Sequence, residues 1–311
     1  TESGIMHTDE DPNISLENKF KMVKSSGVYD YLDKTPLKED INRYLRYSEK
    51  YDLPILAGGW YYVLGRDEEL LMDNLRIGAQ LGSIVHNTQI IMDHADGTLV
   101  TNDQVAEVYL KAYEFGESVG CIPTFEVHVN MWSEDFRRIE IVAEKVKRNG
   151  VPFRMTLDHS HVIFKIDNPI EQDVFSIGKS IDSGDLVLDP NKNNHICGKW
   201  INKGYVGHCH ARSAVPNNPK NIWQHHSSLE ELVSLHPKNT VGRGIQYPFI
   251  RPKKGQWHSD WQESKLEPWK EVIRQLMMYH QNNNENFLRT ISTEFIPFPD
   301  YGGGAKYSIF E

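Results

Sequence analysis

The sequence predicts a (β/α)8 (TIM) barrel, and three observations carry that reading. Short apolar runs alternate with segments of helical period along almost the whole chain, so the hydrophobic repeat keeps switching between 2 and 3.6 residues. The runs amount to about eight strands joined by helices, which implies a parallel sheet closed on itself. Polar residues that are costly to bury collect at the carboxyl ends of those strands, where such barrels place their working groups. With 311 residues, 39% of them hydrophobic, the chain is long enough to form this barrel as one domain over 1–311, interrupted by an insertion at 215–262.

In chain order, a short strand near Gly4–His7 precedes "VYDYLD" (28–33) and the helical "EDINRYLRYSEKYDL" (39–53). "PILAGGWYYVLG" (54–65) reads as the next strand, "DEELLMDNLRIGAQLG" (67–82) as a helix and "IVHNTQIIM" (84–92) as a strand. Gly58 and Gly59 predict a close backbone approach near that first strand's end. In the trio that follows them, Trp60 or Tyr62 is expected to stack in a sugar pocket and Tyr61 to lie in the core. Asn87 and Gln89 share the inward face of their strand, where they could bind substrate hydroxyls or each other.

The helix "NDQVAEVYLKAYEFGESVG" (102–120) has Asn102 as its expected N-cap and Gly120 as its stop. After it, in "TFEVHVN" (124–130), the pleat turns Thr124, Glu126, His128 and Asn130 to one face and Phe125, Val127 and Val129 to the other. "SEDFRRIEIVAEKVKRNG" (133–150) is helical, and "FRMTLDHSHVI" (153–163) and "YVGHCHARS" (205–213) are strands. A helix near 265–280 and a last strand "LRTISTEFIPF" (288–298) complete the alternation.

The insertion after the seventh strand is far longer than a usual loop and carries Trp223, Tyr247, Phe249, Trp257 and Trp261, which suits a lid or a subunit contact. His225 and His226 lie in it and are expected to be solvated. The sequence ends at "YGGGAKYSIFE", just past the last strand, where a barrel would add a helix. Either more chain or a second subunit, another copy or a small partner, is expected to cover that face. "GGG" (302–304) lacks the strand-before, helix-after setting of a dinucleotide loop and reads as a turn.

A net charge of -9 disfavours a nucleic-acid partner, and no apolar run is long enough to span a membrane. Cys121, Cys197 and Cys209 show no C-x-x-C spacing, so reduced thiols and a cytoplasmic location are expected.

Glu126 and His128 end one strand, Asp158 the next, His208 and His210 the following one and Glu294 the last. Singly, a strand histidine is more often a hydrogen-bonded core residue than a ligand. Together, three converging carboxylates would repel one another in a partly dry cavity, and a divalent cation removes that cost. The inferred ligands, Glu126, Asp158, His210 and Glu294, are three oxygen donors and one nitrogen, a set that suits Mn²⁺, Mg²⁺ or Co²⁺, with Zn²⁺ possible. A cation that polarises a carbonyl lowers the cost of removing the neighbouring C–H proton. His128, with an intrinsic pKa near neutrality, is placed either to be that base or to support Glu126 or Asp158.

This pattern of a Glu, "D-x-x-H" (Asp158, His161), "H-x-H" with a following basic residue (His208, His210, Arg212) and a Glu on the last strand resembles the xylose isomerase-like barrels, the sugar phosphate isomerase/epimerase superfamily. The resemblance implies that the four matching residues hold Mn²⁺, Mg²⁺ or Co²⁺ against adjacent oxygens of a ketose. It further implies that Glu126 and Glu294 shuttle the proton and that His161 and Arg212, beside His208, contact substrate. His128 and the long aromatic insertion depart from the usual epimerase pattern. They are similar instead to C-glycoside deglycosidase catalytic subunits, which use a metal and a His base on a 3-keto glycoside and pair with a small β-subunit.

Isomerisation or epimerisation of a sugar and β-elimination from a 3-keto glycoside therefore both stand as expectations. An endonuclease IV-type phosphodiesterase needs several zincs and a DNA-binding surface, against which the charge counts. A non-catalytic sugar-binding barrel would need no poised acids.

Overall fold

Among the described residues, the alternation read from the sequence is realised as seven parallel strands whose order in the sheet is their order in the chain, forming a nearly closed barrel. The structure is a computed structural model that describes residues 1–2, 5, 14–173, 175–216, 246–257, 260–285 and 287–295. The expected strand near Gly4–His7, most of the 215–262 insertion with Trp223, His225 and His226, and the segment after Phe295 with its "GGG" lie outside the described residues.

The first half alternates strictly: α1 (Leu16–Ser26), β1 (Leu32–Asp33), α2 (Ile41–Tyr51), β2 (Ile55–Tyr62), α3 (Glu68–Leu81), β3 (Val85–Ile90), α4 (Asn102–Val119) and β4 (Ile122–Glu126). Then come α5 (Arg137–Arg148), β5 (Met155–Leu157), four short helices α6 (Ser160–Ile163), α7 (Pro169–Asp173), α8 (Gly178–Asp182) and α9 (Ile196–Asn202), β6 (Val206–His210), α10 (Glu267–Asn282) and β7 (Thr290–Ser292). No helix among the described residues is long and apolar enough to cross a membrane.

Two local expectations need correction. Thr101, not Asn102, caps α4: its hydroxyl accepts from Gln104 N at 3.2 Å while Gln104 Oε1 accepts from Thr101 N at 2.8 Å, a reciprocal capping box. Gly120 does stop that helix, at φ 86°. The segment 153–163 is not one strand. Asp158 Oδ1 accepts from Ser160 N at 3.0 Å and Ser160 Oγ at 2.5 Å, an Asx-type turn that competes with the ladder and starts α6.

The outward faces of the strands pack on the helices. Tyr109 of α4 meets Phe125 edge-on at 4.9 Å and Phe153 at 5.2 Å, so β4 and the segment leading into β5 share one aromatic anchor. Phe125, Val127 and Cys209 are buried in this layer. Their neighbours on the pleat must therefore point into the barrel.

The ladder fixes the heights of those inward residues. Gly59 pairs with Asn87 and Asn87 with Thr124; one pleat nearer the mouth, Glu126 pairs with Thr156, Thr156 with His208 and His208 with Thr290. Gly59 is needed here, since a Cβ on it would lie 2.9 Å from Asn87 Cβ.

Candidate metal centre

Glu126 is the last residue of β4, and the chain then enters a pinned turn. Ser133 Oγ donates to the Glu126 carbonyl at 2.5 Å and accepts from His128 N at 3.2 Å. Asn130 adopts a left-handed backbone (φ 63°) and donates its N–H to Glu134 Oε2 at 2.6 Å. The expected alternation therefore stops at Glu126, and Asn130 does not share its pleat.

Asp158 follows β5, His210 ends β6 and Glu294 lies two residues beyond β7. One ligand atom from each of Glu126, Asp158, His210 and Glu294 lies within 4.8 Å of the others, and all four residues are buried. His210 Nδ1 is 2.9 Å from Glu126 Oε1 and 3.4 Å from Glu294 Oε2. Asn87 and Gln89 both donate to Glu126 Oε2, at 2.7 and 2.6 Å. Beside the two uses the sequence left open for this pair, the structure shows a third: they orient a carboxylate.

Arg212, fully buried, sits between two of the acids, donating to Asp158 Oδ2 and lying 3.1 Å from Glu294 Oε2. It also donates to His161 Nε2 at 2.9 Å. Burial alone would raise the Asp158 carboxyl, yet Arg212 and then His161 hold it well below the usual carboxylate range. Burial likewise opposes ionisation of Glu126, but His210 holds it down at about 2. Glu294 and Glu126 push the His210 imidazole well above its ordinary value against the burial that would lower it. The acids around His210 thus call for positive charge at that point, which a proton on the imidazole or a cation bound to it would supply.

The donor set fits a divalent cation. Three carboxylates and one imidazole converge, and Glu294 Oε2 has no hydrogen-bond partner of good geometry among the described residues. Oxygen-rich donors suit Mn²⁺, Mg²⁺ or Co²⁺ and admit Zn²⁺.

The His128 ring lies beside that of His161, centroids 4.1 Å apart and planes tilted by 54°. Its Nδ1 hydrogen is committed to the Val129 carbonyl at 2.6 Å, which leaves the lone pair of the neutral ring on Nε2. Burial first, then His161, pushes it down to about 4, below the near-neutral value its ring alone would suggest. At neutral pH it is uncharged.

No protein-family model matches the sequence, and no curated protein does. Among solved structures, the chain is similar to the probable 3-DHS dehydratase AsbF involved in petrobactin synthesis from Bacillus anthracis, at 12% identity over 91% of this chain and 88% of that one, with a TM-score of 0.50. What the likeness shows is the fold, a parallel α/β barrel. Weaker matches include a xylose isomerase domain containing protein from Salmonella typhimurium LT2 (13% identity, 90% and 98% coverage, TM-score 0.45) and the IOLI protein with a binding zinc atom (13%, 86% and 95%, 0.46).

The mouth of the barrel is a cavity of about 190 Å³ lined by Asp33, Trp60, Tyr61, Gln89, His210 and Glu294 among others. Trp60 stacks on Tyr61 (centroids 5.2 Å, interplanar 12°) at its rim. The expectations for Tyr61 and Tyr62 are reversed. Tyr61 is 50% exposed at the mouth, whereas Tyr62 is in the core with its hydroxyl 2.7 Å from His86 Nε2. Register explains it: Tyr61 pairs with Gln89 on the inward face, so Tyr62 must face the helices.

His208 and Arg212 are both buried, and neither is among the residues lining this cavity. His208 Nδ1 is 2.7 Å from Thr290 Oγ1, and its Nε2 faces Asp33 Oδ2 at 3.5 Å. Asp33, with His208 and His210, forms a second cluster of potential ligand atoms, and the sequence reading did not single it out. Its only sequence signal was a carboxylate ending the run "VYDYLD", the position that the other strand-end acids also occupy.

Proposed function

We propose that the chain is a divalent-metal-dependent carbohydrate enzyme of the sugar isomerase/epimerase type, which removes a proton next to a sugar carbonyl. The observation that carries this reading is the convergence of Glu126, Asp158, His210 and Glu294 within 4.8 Å at the barrel mouth. A cation bound there, Mn²⁺ by preference with Mg²⁺, Co²⁺ or Zn²⁺ as alternatives, would supply Lewis-acid polarisation of that carbonyl.

The protein's own groups do the rest. Glu126 is held by Asn87 and Gln89 so that its Oε1 faces His210. His128 is the base, uncharged at neutral pH with its Nε2 lone pair set by the Val129 hydrogen bond. For reprotonation, Glu126 or Glu294 would first take a proton, from His128 or from solvent, and then return it to carbon, ending as the carboxylate it began as. His161, His208 and Arg212 hold substrate oxygens, directly or through the acids they touch, and Trp60 with Tyr61 offers a ring face to a sugar at the rim.

The test is metal content of the purified protein beside Glu126→Ala and Glu294→Ala, followed by deuterium uptake from D2O into keto-sugars and 3-keto glycosides. About one divalent ion per chain, lost in both variants, is expected. His128→Asn should keep the metal and lower deuterium uptake by about 10²- to 10⁴-fold. Absence of specific metal in the wild type even after reconstitution with Mn²⁺ would refute the reading. Expulsion of a β-substituent starts from the same proton removal, and product identity separates that outcome from isomerisation.

A further inference from the structure

Three buried polar atoms of the barrel interior lack a hydrogen-bond partner among the described residues and face one another: Asp33 Oδ2, His208 Nε2 and His210 Nε2. Asp33 Oδ2 is 3.5 Å from the first nitrogen and 3.7 Å from the second. Resting on the metal-centre reading of the proposed function, we propose that Asp33 is a positioning residue for that centre, holding the hydrogen of His210 on Nε2 so that its Nδ1 lone pair faces Glu126 and Glu294.

The partners dictate the tautomers. His208 Nδ1 lies 3.1 Å from the Thr290 carbonyl and 2.7 Å from Thr290 Oγ1. A carbonyl only accepts, so Nδ1 carries the His208 hydrogen and neutral His208 turns a lone pair towards Asp33. Two acceptors then face each other, and the hydrogen that Asp33 requires has to come from His210 Nε2. The present separation is roughly 0.8 Å longer than a hydrogen bond, a gap that a small side-chain rotation closes.

With the hydrogen on Nε2, His210 presents a lone pair at Nδ1, 2.9 Å from Glu126 Oε1 and 3.4 Å from Glu294 Oε2. Those oxygens are acceptors too, so this arrangement calls for a cation among them. A carboxylate behind a metal-binding imidazole fixes its tautomer and raises its donor strength. Asp33 has the place for this role because β1 pairs with β2 and delivers its last residue to the mouth.

The test compares the full-length wild type with Asp33→Asn and Asp33→Glu by calorimetric titration with Mn²⁺ and by the visible absorption of bound Co²⁺. Asp33→Asn should weaken Mn²⁺ binding by about 10- to 100-fold at unchanged stoichiometry and shift the Co²⁺ bands, and Asp33→Glu should restore part of both. In a His210→Gln background, Asp33→Asn should cost no further affinity, which a merely structural role would not predict. If Asp33→Asn does not fold, Asp33→Glu carries the same comparison in the His210→Gln background.

Wild-type affinity and Co²⁺ spectrum in Asp33→Asn would overturn the proposal. Two Co²⁺ per wild-type chain with one lost in Asp33→Asn would also overturn it, making Asp33 a ligand of a separate ion. A wild type that binds no metal at all would defeat the metal-centre reading itself, whatever the Asp33 variants do.

Discussion

Replacing Lys165 with Met should destabilise the barrel more than any surface ion pair can. Lys165 Nζ lies 3.0 Å from Glu134 Oε1, 3.0 Å from Glu171 Oε2 and 2.9 Å from the Glu171 carbonyl, and the three side chains are at most 2% exposed. Met fills the stem's volume but removes the charge, leaving two carboxylates in a dry site. Breaking a buried ion pair from one side costs about 3–5 kcal/mol. With a urea m-value of about 3 kcal/mol/M, the unfolding midpoint should fall by about 1–1.7 M.

The control is Lys111→Met. That lysine meets Glu107 at 2.7 Å, a shorter contact, but both side chains are about two-thirds exposed (65% and 68%), and no resolvable shift is expected. Equal midpoints for the two variants would refute the argument that burial, not distance, sets the cost. The triad also bears on the site. Glu134 accepts from Asn130 N in the turn just after His128, so Lys165→Met should lower any His128-dependent deuterium uptake as well.

Acid should act through His86 among other groups. Burial pushes its imidazole down to about 4 from 6.5, so the unfolded chain binds the extra proton between those pH values. Its contribution is complete above pH 6.5 and is lost as pH falls towards 4, about 3 kcal/mol in all. Unfolding midpoints measured from pH 7.5 to 4 should slope less steeply in His86→Gln, and parallel slopes would count against the assignment. Gly59→Ala should cost about 1–3 kcal/mol, because the new Cβ meets Asn87 Cβ at 2.9 Å and Asn87 O at 3.1 Å. It should also weaken Mn²⁺ binding by displacing the Asn87 donor from Glu126. A variant with unchanged melting temperature and affinity would show that the strands move apart freely.

The repeat of short apolar runs and helical segments determined the parallel barrel, because only a sheet covered by helices buries strands of that kind. It also determined which carboxylates and imidazoles stand at strand ends, and hence the set Glu126, Asp158, His210 and Glu294 that the structure brings within 4.8 Å. Strand parity is a local rule, and it put Asn87 and Gln89 on the face that meets Glu126. It failed where a side chain outcompeted the ladder: Ser133 and Glu134 turn the chain after Glu126, and Asp158 with Ser160 converts "DHSH" into a helical turn.

Only the tertiary structure decided which face of β2 looks inward, and with it the exchange of Tyr61 and Tyr62, because register against β3 is a pairing between distant segments. The same holds for Asp33 behind His210, for Arg212 wedged between Asp158 and Glu294, and for the uncharged His128. Hydrogen-bond partners and burial come from residues far apart in the chain. A sequence can present a histidine at a strand end, but the groups packed around it choose its charge and its tautomer.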